Sequence, residues 1–234
     1  VAKYAYPGRE NLQAMSVADN YNRRLREFLL AALHNNEAPV CKVLDFGAGT
    51  GIYARMLRDS GLEVECLEPD EEYSILLRAD GFRVHGELAA LDVGYQLIYA
   101  MNVLEHIEED ERVFTSLARC LAPGGSLVVY VPAFDVLSSS MDRLVGHLRR
   151  YRAVDLLEYS AHAGLRVSSW RYCDPIGFFA SLLYRAVGDK SGAISSRSVR
   201  LYDRTAFRLG SFLEPFTGRL FGKNLLVIAR RSDN

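Results

Sequence analysis

The chain alternates between two hydrophobic periods. Residues 40–46 (VCKVLDF), 62–69 (LEVECLEP), 82–85 (FRVH), 95–101 (YQLIYAM) and 126–132 (SLVVYVP) are short apolar or alternating runs, which predict strands. Between them, 50–61, 70–81 and 108–125 carry apolar residues at helical spacing and stop on Gly61, Gly81 and Pro123-Gly124-Gly125. The first 37 residues read as helix, with Leu25, Phe28, Leu29 and Ala32 on one face of 16–33. Strands alternating with helices of this length predict βαβ units, right-handed crossovers and a parallel sheet.

Beyond Pro132 the rhythm changes. Residues 133–151 are polar and amphipathic, 153–164 read as a helix ending at Gly164, and 165–173 as a strand. Residues 174–221 form an insert with helical patches and a serine-rich middle, 189–198, that reads as a mobile loop; 224–231 is a last strand. The expected organisation is one domain over 1–234. It has a helical cover (1–38), a cofactor-binding core (39–132), inserts over the substrate (133–151 and 174–221) and a closing strand (222–231).

Residues 43–57 read VLDFGAGTGIYARML and place Gly47, Gly49 and Gly51 between a strand and a helix. Glycine costs backbone entropy, so three in five residues imply a tight turn or a ligand that approaches the backbone. In open α/β sheets ligands bind at the carboxyl ends of the strands, and the following helix N-terminus offers free N–H groups. Glu68 ends the second strand, where a carboxylate accepts hydrogen bonds from both hydroxyls of a ribose. Together these features indicate an adenosine-containing cofactor. A dinucleotide loop wants Gly-x-Gly-x-x-Gly/Ala, and here Ile52 stands in the third small position. Asp45, two residues ahead of the loop, would repel a pyrophosphate but suits an ammonium group. S-adenosyl-L-methionine carries an ammonium and no phosphate, so these residues favour it over NAD.

The ordered motifs VLDFGAGTG (43–51), LEPD (67–70), YQLIYAMNVLEHIEED (95–110) and LAPGGSLVVYVP (121–132) resemble those of class I S-adenosylmethionine-dependent methyltransferases. NYNRRLREFL (20–29) and GHLRRYRAVDLLEYSAHAGLRV (146–167) are similar to a bacterial subgroup that acts on small molecules. FGKNLLVIARR (221–231) fits the family's last strand. The resemblance implies a Rossmann-like, doubly wound α/β fold. Its seven-stranded, mostly parallel sheet has an antiparallel last strand, an N-terminal helical cover and a C-terminal lid insert. It implies that Asp45, Gly47, Ala48 and Gly49 line the methionine end of the cofactor and that Glu68, next to Pro69, holds the ribose. Glu87 and Leu88 would flank the adenine, Asn102 and Val103 would lie beneath the cofactor, and Tyr21 and Asn22 would close over it. In quinone-pathway O-methyltransferases, which the stretch 102–110 resembles, two glutamates and a histidine hold a divalent ion. Here Asn102 replaces the first glutamate, so no metal is expected.

Two histidines are candidate bases, since imidazole changes charge near neutral pH. His106 would lie near the methyl group, or would simply pack beneath the cofactor. His147 lies after the fifth strand, on the cofactor side of such a sheet, and is the first choice. If 134–149 is helical, His147 and Tyr151 share a face four residues apart. Arg149 and Arg150, with Tyr151, would then bind an acidic group of the acceptor. The competing reading is a structural hinge whose arginines and tyrosine cap neighbouring elements.

Charge bears on the acceptor. Residues 1–142 hold 12 Lys/Arg against 22 Asp/Glu, and 143–234 hold 16 against 7, so the second part suits an anionic partner or a lipid surface. Trp170, Tyr172, Phe178, Phe179, Leu182, Leu183 and Tyr184, followed by Arg185, Arg197, Arg200, Arg204 and Arg208, read as core packing of an extra helix pair. A lid or a membrane-facing surface is the alternative. A pI near 6.6 without an aromatic–basic stripe argues against nucleic acid. No apolar run is long enough to span a bilayer. Val1 follows no basic-then-apolar leader, which reads as a processed or trimmed start. Cys41, Cys66, Cys120 and Cys173 are widely spaced, as expected for reduced thiols in the cytoplasm.

The expected activity is methyl transfer from S-adenosyl-L-methionine to an oxygen of a small-molecule, glycan-linked or lipid-linked acceptor. An NAD-type oxidoreductase and a non-catalytic cofactor-binding partner subunit are the alternatives.

Overall fold

Strands that are buried on both faces must find partners along their whole length, and this sets the topology. The computed structural model describes residues 6–33, 42–187 and 195–233. In chain order these form α1 (Arg9–Met15), α2 (Asp19–Leu33), β1 (Lys42–Phe46), α3 (Ile52–Arg58), β2 (Glu63–Leu67) and α4 (Glu71–Ala79). Next come β3 (Arg83–His85), β4 (Tyr95–Met101), α5 (Asp110–Cys120), β5 (Leu121–Pro132), α6 (Ser140–Val145) and α7 (Ala153–His162). The last are β6 (Arg166–Cys173), α8 (Pro175–Val187), α9 (Ser196–Tyr202), α10 (Arg208–Thr217) and β7 (Asn224–Arg230). The sheet order is β3-β2-β1-β4-β5-β7-β6. The first five strands pair in parallel, and β7 runs antiparallel between β5 and β6.

Successive strand residues point to opposite faces, so the core divides in two. Leu44, Ile98 and Val129 pack with Phe114 and Leu117 of α5 and Leu156 of α7. Val43, Leu97 and Val128 pack on the other face with Leu25 and Leu29 of α2, Leu57 of α3 and Leu77 of α4. The chain winds outward from β1 to β3 and then returns to place β4 on the other side of β1. That reversal opens a crevice at the carboxyl ends of β1 and β4.

Boundaries differ from the hydrophobic pattern in four places. The N-terminal stretch is two helices rather than one, and residues 34–41, with Cys41 and the start of the expected first strand, lie outside the described residues. The helix expected over 108–125 stops at Cys120, because Leu121 already pairs with Tyr95; the register then shifts before Ser126 meets Leu97. The helix expected over 134–149 does not form. Its remnant, α6, is six residues long, opened by a capping box between Ser139 and Asp142 and ended by Gly146 at φ +80°. His147 and Tyr151 therefore share no helical face, and Tyr151 sits in an isolated bridge with Ala133. In the serine-rich stretch, Ser195 caps α9 by accepting the Ser198 N–H at 3.1 Å, so helix begins where a loop was expected; 189–194 lie outside the described residues. Cys66 and Cys173 are buried free thiols and Cys120 is half-buried. No described helix is long and apolar enough to cross a membrane.

Candidate active site

The loop between β1 and α3 needs glycine for steric reasons. Gly47 has φ +76°, and a Cβ there would come 2.5 Å from Val103 Cγ2. Gly51 precedes α3 at φ +73°, with Leu77 Cδ2 2.5 Å from where its Cβ would be. The loop is clamped to the end of β2. The Gly47 N–H donates to the Leu67 carbonyl at 2.9 Å, and the Gly49 N–H donates to Glu68 Oε2 at 2.7 Å. The other carboxylate oxygen, Oε1, accepts the Asp70 N–H at 2.8 Å. Burial pushes the Glu68 carboxyl above its usual range, against the pull of these amides. Each oxygen keeps a second lone pair for a hydroxyl donor.

A cavity of about 780 Å³ opens beside this loop. It is lined by Asp45, Gly47, Ala48, Gly49, Glu68, Pro69, Asn102 and Val103, and by Tyr21 and Asn22 from α2. Asn102 turns the chain after β4 at φ +54°, a conformation asparagine tolerates. Glu87 and Leu88 do not line the cavity. They lead into a short 3-10 turn after β3, and the Glu87 side chain is exposed.

Asp45 provides the test of what the cavity accepts. It is 2 % exposed, and its Oδ2 has no hydrogen-bond partner. Burial pushes its carboxyl up to about 7, with the nearby Glu68 charge adding and the Tyr99 hydroxyl opposing. A cation offering N–H donors would satisfy that oxygen, whereas a phosphate would add repulsion. The residues present fit the amino-acid end of S-adenosyl-L-methionine.

A second set of polar groups converges at the wall of the same cavity, which His106, Asp142, His147 and Arg150 line. The ring of His147 has its Nδ1 2.8 Å from Asp142 Oδ1. Asp142 also accepts Arg150 Nε at 2.8 Å and the Ser139 N–H at 2.8 Å. Burial works against its charge, but the bonds from His147 and Arg150 hold its carboxyl well below the usual range. An ionised Asp142 can only accept, so it fixes the tautomer with the proton on Nδ1 and leaves Nε2 as the lone-pair nitrogen. That Nε2 lies 3.7 Å from Glu105 Oε1. Glu105 is fully buried with neither carboxylate oxygen hydrogen-bonded, and burial pushes it up to about 8. His106 meets His147 edge-on, ring centroids 4.8 Å apart, with its Nδ1 3.2 Å from the Gly146 carbonyl. Burial, and then the His147 charge, lower its pKa to about 4, so it is neutral over the working range. The donor atoms of Glu105, His106 and His147 lie within 4.8 Å of one another, which makes them a candidate metal-binding group.

Arg149 and Tyr151 are not brought to the cavity. Both bind Asp110, Arg149 through Nη1 and Tyr151 through its buried hydroxyl at 2.6 Å. Arg150 does line the cavity, but its guanidinium is held by Asp142 and the Ala133 carbonyl. Among the described residues that line the cavity, Lys223 is the cation without an ion pair, and burial lowers its pKa. The sequence reading singled out neither Lys223 nor Asp142. A signal for Asp142 was present, since Ser139-x-x-Asp142 is a capping pattern just ahead of the histidine.

The helices after β6 cover the cavity through Tyr184, Val199, Tyr202 and Phe207. Buried carboxylates fasten them. Asp203 accepts the N–H groups of Asn20 and Tyr21 at 3.0 and 2.8 Å, in the first turn of α2. Asp174 Oδ1 accepts the Gly177 N–H at 2.9 Å and the Tyr202 hydroxyl at 2.6 Å. Trp170, Tyr172, Phe134 and Phe178 form a connected set of ring contacts beside this cover.

Residues 17–176 match a family model described as a methyltransferase domain. The chain is 30% identical over 145 residues to a Mycolicibacterium smegmatis protein named "Probable S-adenosylmethionine-dependent methyltransferase", covering 58% of this chain and 54% of that one. It is 34% identical over 116 residues to the malonyl-[acyl-carrier protein] O-methyltransferase of Methylococcus capsulatus, covering 45% and 42%. The chain thus spans about half the length, or less, of these curated relatives. Among solved structures it is similar to a SAM-dependent methyltransferase from Archaeoglobus fulgidus (TM-score 0.60, 16% identity, 92% and 94% covered). It is also similar to geranyl diphosphate C-methyltransferase from Streptomyces coelicolor (TM-score 0.61, 16% identity, 89% and 80% covered). At these identities the structural likeness concerns the fold.

Proposed function

This chain belongs to the class I S-adenosylmethionine-dependent methyltransferases, and from that premise we propose that it methylates an oxygen of a small-molecule, glycan-linked or lipid-linked acceptor bearing an acidic group. The observation that carries the proposal is the Asp142–His147 pair, in which His147 lines the cavity that the glycine loop and Asp45 also line and its second nitrogen, 3.7 Å from Glu105, makes no hydrogen bond. One curated relative is by name an O-methyltransferase, which supports oxygen as the acceptor atom.

The cofactor, when bound, supplies a methyl carbon activated by its sulfonium. Asp45 would pair with its ammonium, Glu68 would accept its ribose hydroxyls, and the bare backbone of the loop would let it approach. His147 Nε2 then takes the proton of an acceptor hydroxyl while Asp142 holds the ring and stabilises the imidazolium. Lys223 offers the unpaired cation for the acceptor's acidic group, the role first expected of Arg149 and Arg150. Tyr184, Tyr202 and Phe207 keep water from the reacting atoms.

Calorimetry with S-adenosylhomocysteine tests the cofactor assignment. Binding in the micromolar range is expected, about −8 kcal/mol, with no saturable NAD binding. Saturable NAD binding with none for S-adenosylhomocysteine would instead support the oxidoreductase. Turnover with hydroxyl-bearing acceptors excludes the silent-subunit alternative.

A second reading has its own observation, the convergence of Glu105, His106 and His147 donors around unpaired carboxylate oxygens. A divalent ion held there would occupy the nitrogen the base requires. Chelation followed by gel filtration separates the two readings. Unchanged turnover is expected if His147 is the base, and loss restored by zinc makes it a ligand.

A further inference from the structure

The outermost helix of the cover has its polarity reversed. On α10 the buried positions are Gly210 and Glu214, the latter 2 % exposed and accepting the Asp174 N–H at 3.1 Å. Leu209, Phe212, Leu213 and Phe216, at i, i+3, i+4 and i+7, point outward instead. Leu209 is 58 %, Phe212 73 % and Phe216 76 % exposed. A helix facing only water gains nothing from such a face, and scattered surface leucines do not form a stripe.

Along the stripe's own segment, among the described residues, the exposed charge is of one sign; the exposed acid near it is Glu27 of α2, paired with Arg24. Among the described residues of 175–221 the charged side chains that reach solvent are Arg185, Arg197, Arg200, Arg204, Arg208 and Arg219. The acids described there, Asp203 and Glu214, are both buried. Phenylalanine and leucine flanked by arginine on one helix surface match the depth profile of a bilayer interface, with rings at the acyl boundary and guanidinium groups among anionic headgroups. A two-fold dimer through the same face would instead set arginine against arginine.

We propose that the outer face of α10, with the exposed arginines from α9 to the start of α10 (Arg197, Arg200, Arg204 and Arg208), docks this chain on an anionic lipid bilayer. The docking is peripheral, and it needs neither methyl donor nor acceptor. The inner faces of α8 and α9 line the cavity, so a docked chain holds its cavity cover at the lipid surface.

Flotation with lipid vesicles tests this on the full chain. Vesicles of phosphatidylcholine containing phosphatidylglycerol should carry the protein up the gradient, and pure phosphatidylcholine vesicles should carry much less. Phe212→Ser with Phe216→Ser should weaken binding by about tenfold or more, as expected for removing two buried aromatic anchors. Arg204→Gln with Arg208→Gln should weaken it by about tenfold at low salt and less at high salt. S-adenosylhomocysteine affinity in both double variants should match the parent, which shows that they fold. Absence of flotation, equal flotation on both vesicle types, or a concentration-dependent dimer abolished by the phenylalanine changes would overturn the proposal.

Discussion

Asp45 lies two residues before the glycine loop with an unpaired oxygen, and burial holds its carboxyl up to about 7. That value is above its unfolded one. The group therefore favours the ligand-free fold below about pH 4 and withdraws that support as pH rises through about 7. Cofactor binding runs the opposite way, because an ammonium pairs only with the carboxylate. S-adenosylhomocysteine affinity should fall by up to about tenfold per unit as pH drops below 7, and calorimetry across pH 5.5–8 reads this directly. Asp45→Asn should flatten the profile and bind weakly throughout. Replacing His147 by alanine should cut turnover by about 10²-fold with cofactor affinity unchanged, measured by steady-state kinetics and calorimetry. Lys223→Met should raise the acceptor's KM and leave S-adenosylhomocysteine binding intact, while Arg149→Met, held away at Asp110, should change neither quantity.

Helices and strands meet the site mainly through their ends. The carboxyl ends of β1, β2 and β4 supply Asp45, Glu68 and Asn102, and the start of α2 supplies Tyr21 and Asn22. Asp203 joins the cover to α2 by accepting the Asn20 and Tyr21 N–H groups, so one carboxylate holds two elements that close on the cavity from different parts of the chain. Asp203→Ala removes the acceptor of three part-buried donors, the Asn20 and Tyr21 N–H groups and Asn20 Nδ2, a loss of about 1–3 kcal/mol each at most. Thermal unfolding should show the destabilisation. Calorimetry should show weakened S-adenosylhomocysteine binding, since Tyr21 lines the cavity. Asn20 and Asp203 are 183 residues apart, and no local pattern pairs them.

At the scale of the molecule, the cavity wall draws on the sheet, the N-terminal helices and the helices after β6 together, so ligand and fold are thermodynamically linked. At a hundred times its dissociation constant S-adenosylhomocysteine adds about 2.7 kcal/mol. For a chain of this size that predicts a rise in Tm of about 5–10 °C in one cooperative transition, read by calorimetric scanning, and NAD should produce none. The charge division along the sequence acquires a place at this scale. The basic second part contributes the arginine-lined outer surface of α8 to α10, while the cavity it covers keeps one unpaired cation among the described residues.

The sequence by itself determined the strands of the parallel sheet, the glycine loop, and the positions of Asp45 and Glu68 beside it. These are local matters: a five-residue strand with four residues buried, a turn that sterically demands glycine, and an acid at a strand end lie within a short stretch of chain. Only the tertiary structure decided what the polar side chains after β5 do. An arginine fork takes whichever carboxylate the fold brings near, and Asp110, 39 residues from Arg149 and 41 from Tyr151, claimed both. Asp142 likewise took Arg150 and the His147 ring, because Gly146 ended the helix that would have carried His147 onward. The same limit governs α10. Periodicity marks a stripe of Leu209, Phe212, Leu213 and Phe216 but not the side it faces, and the buried Glu214 bonded to Asp174 turned that stripe outward.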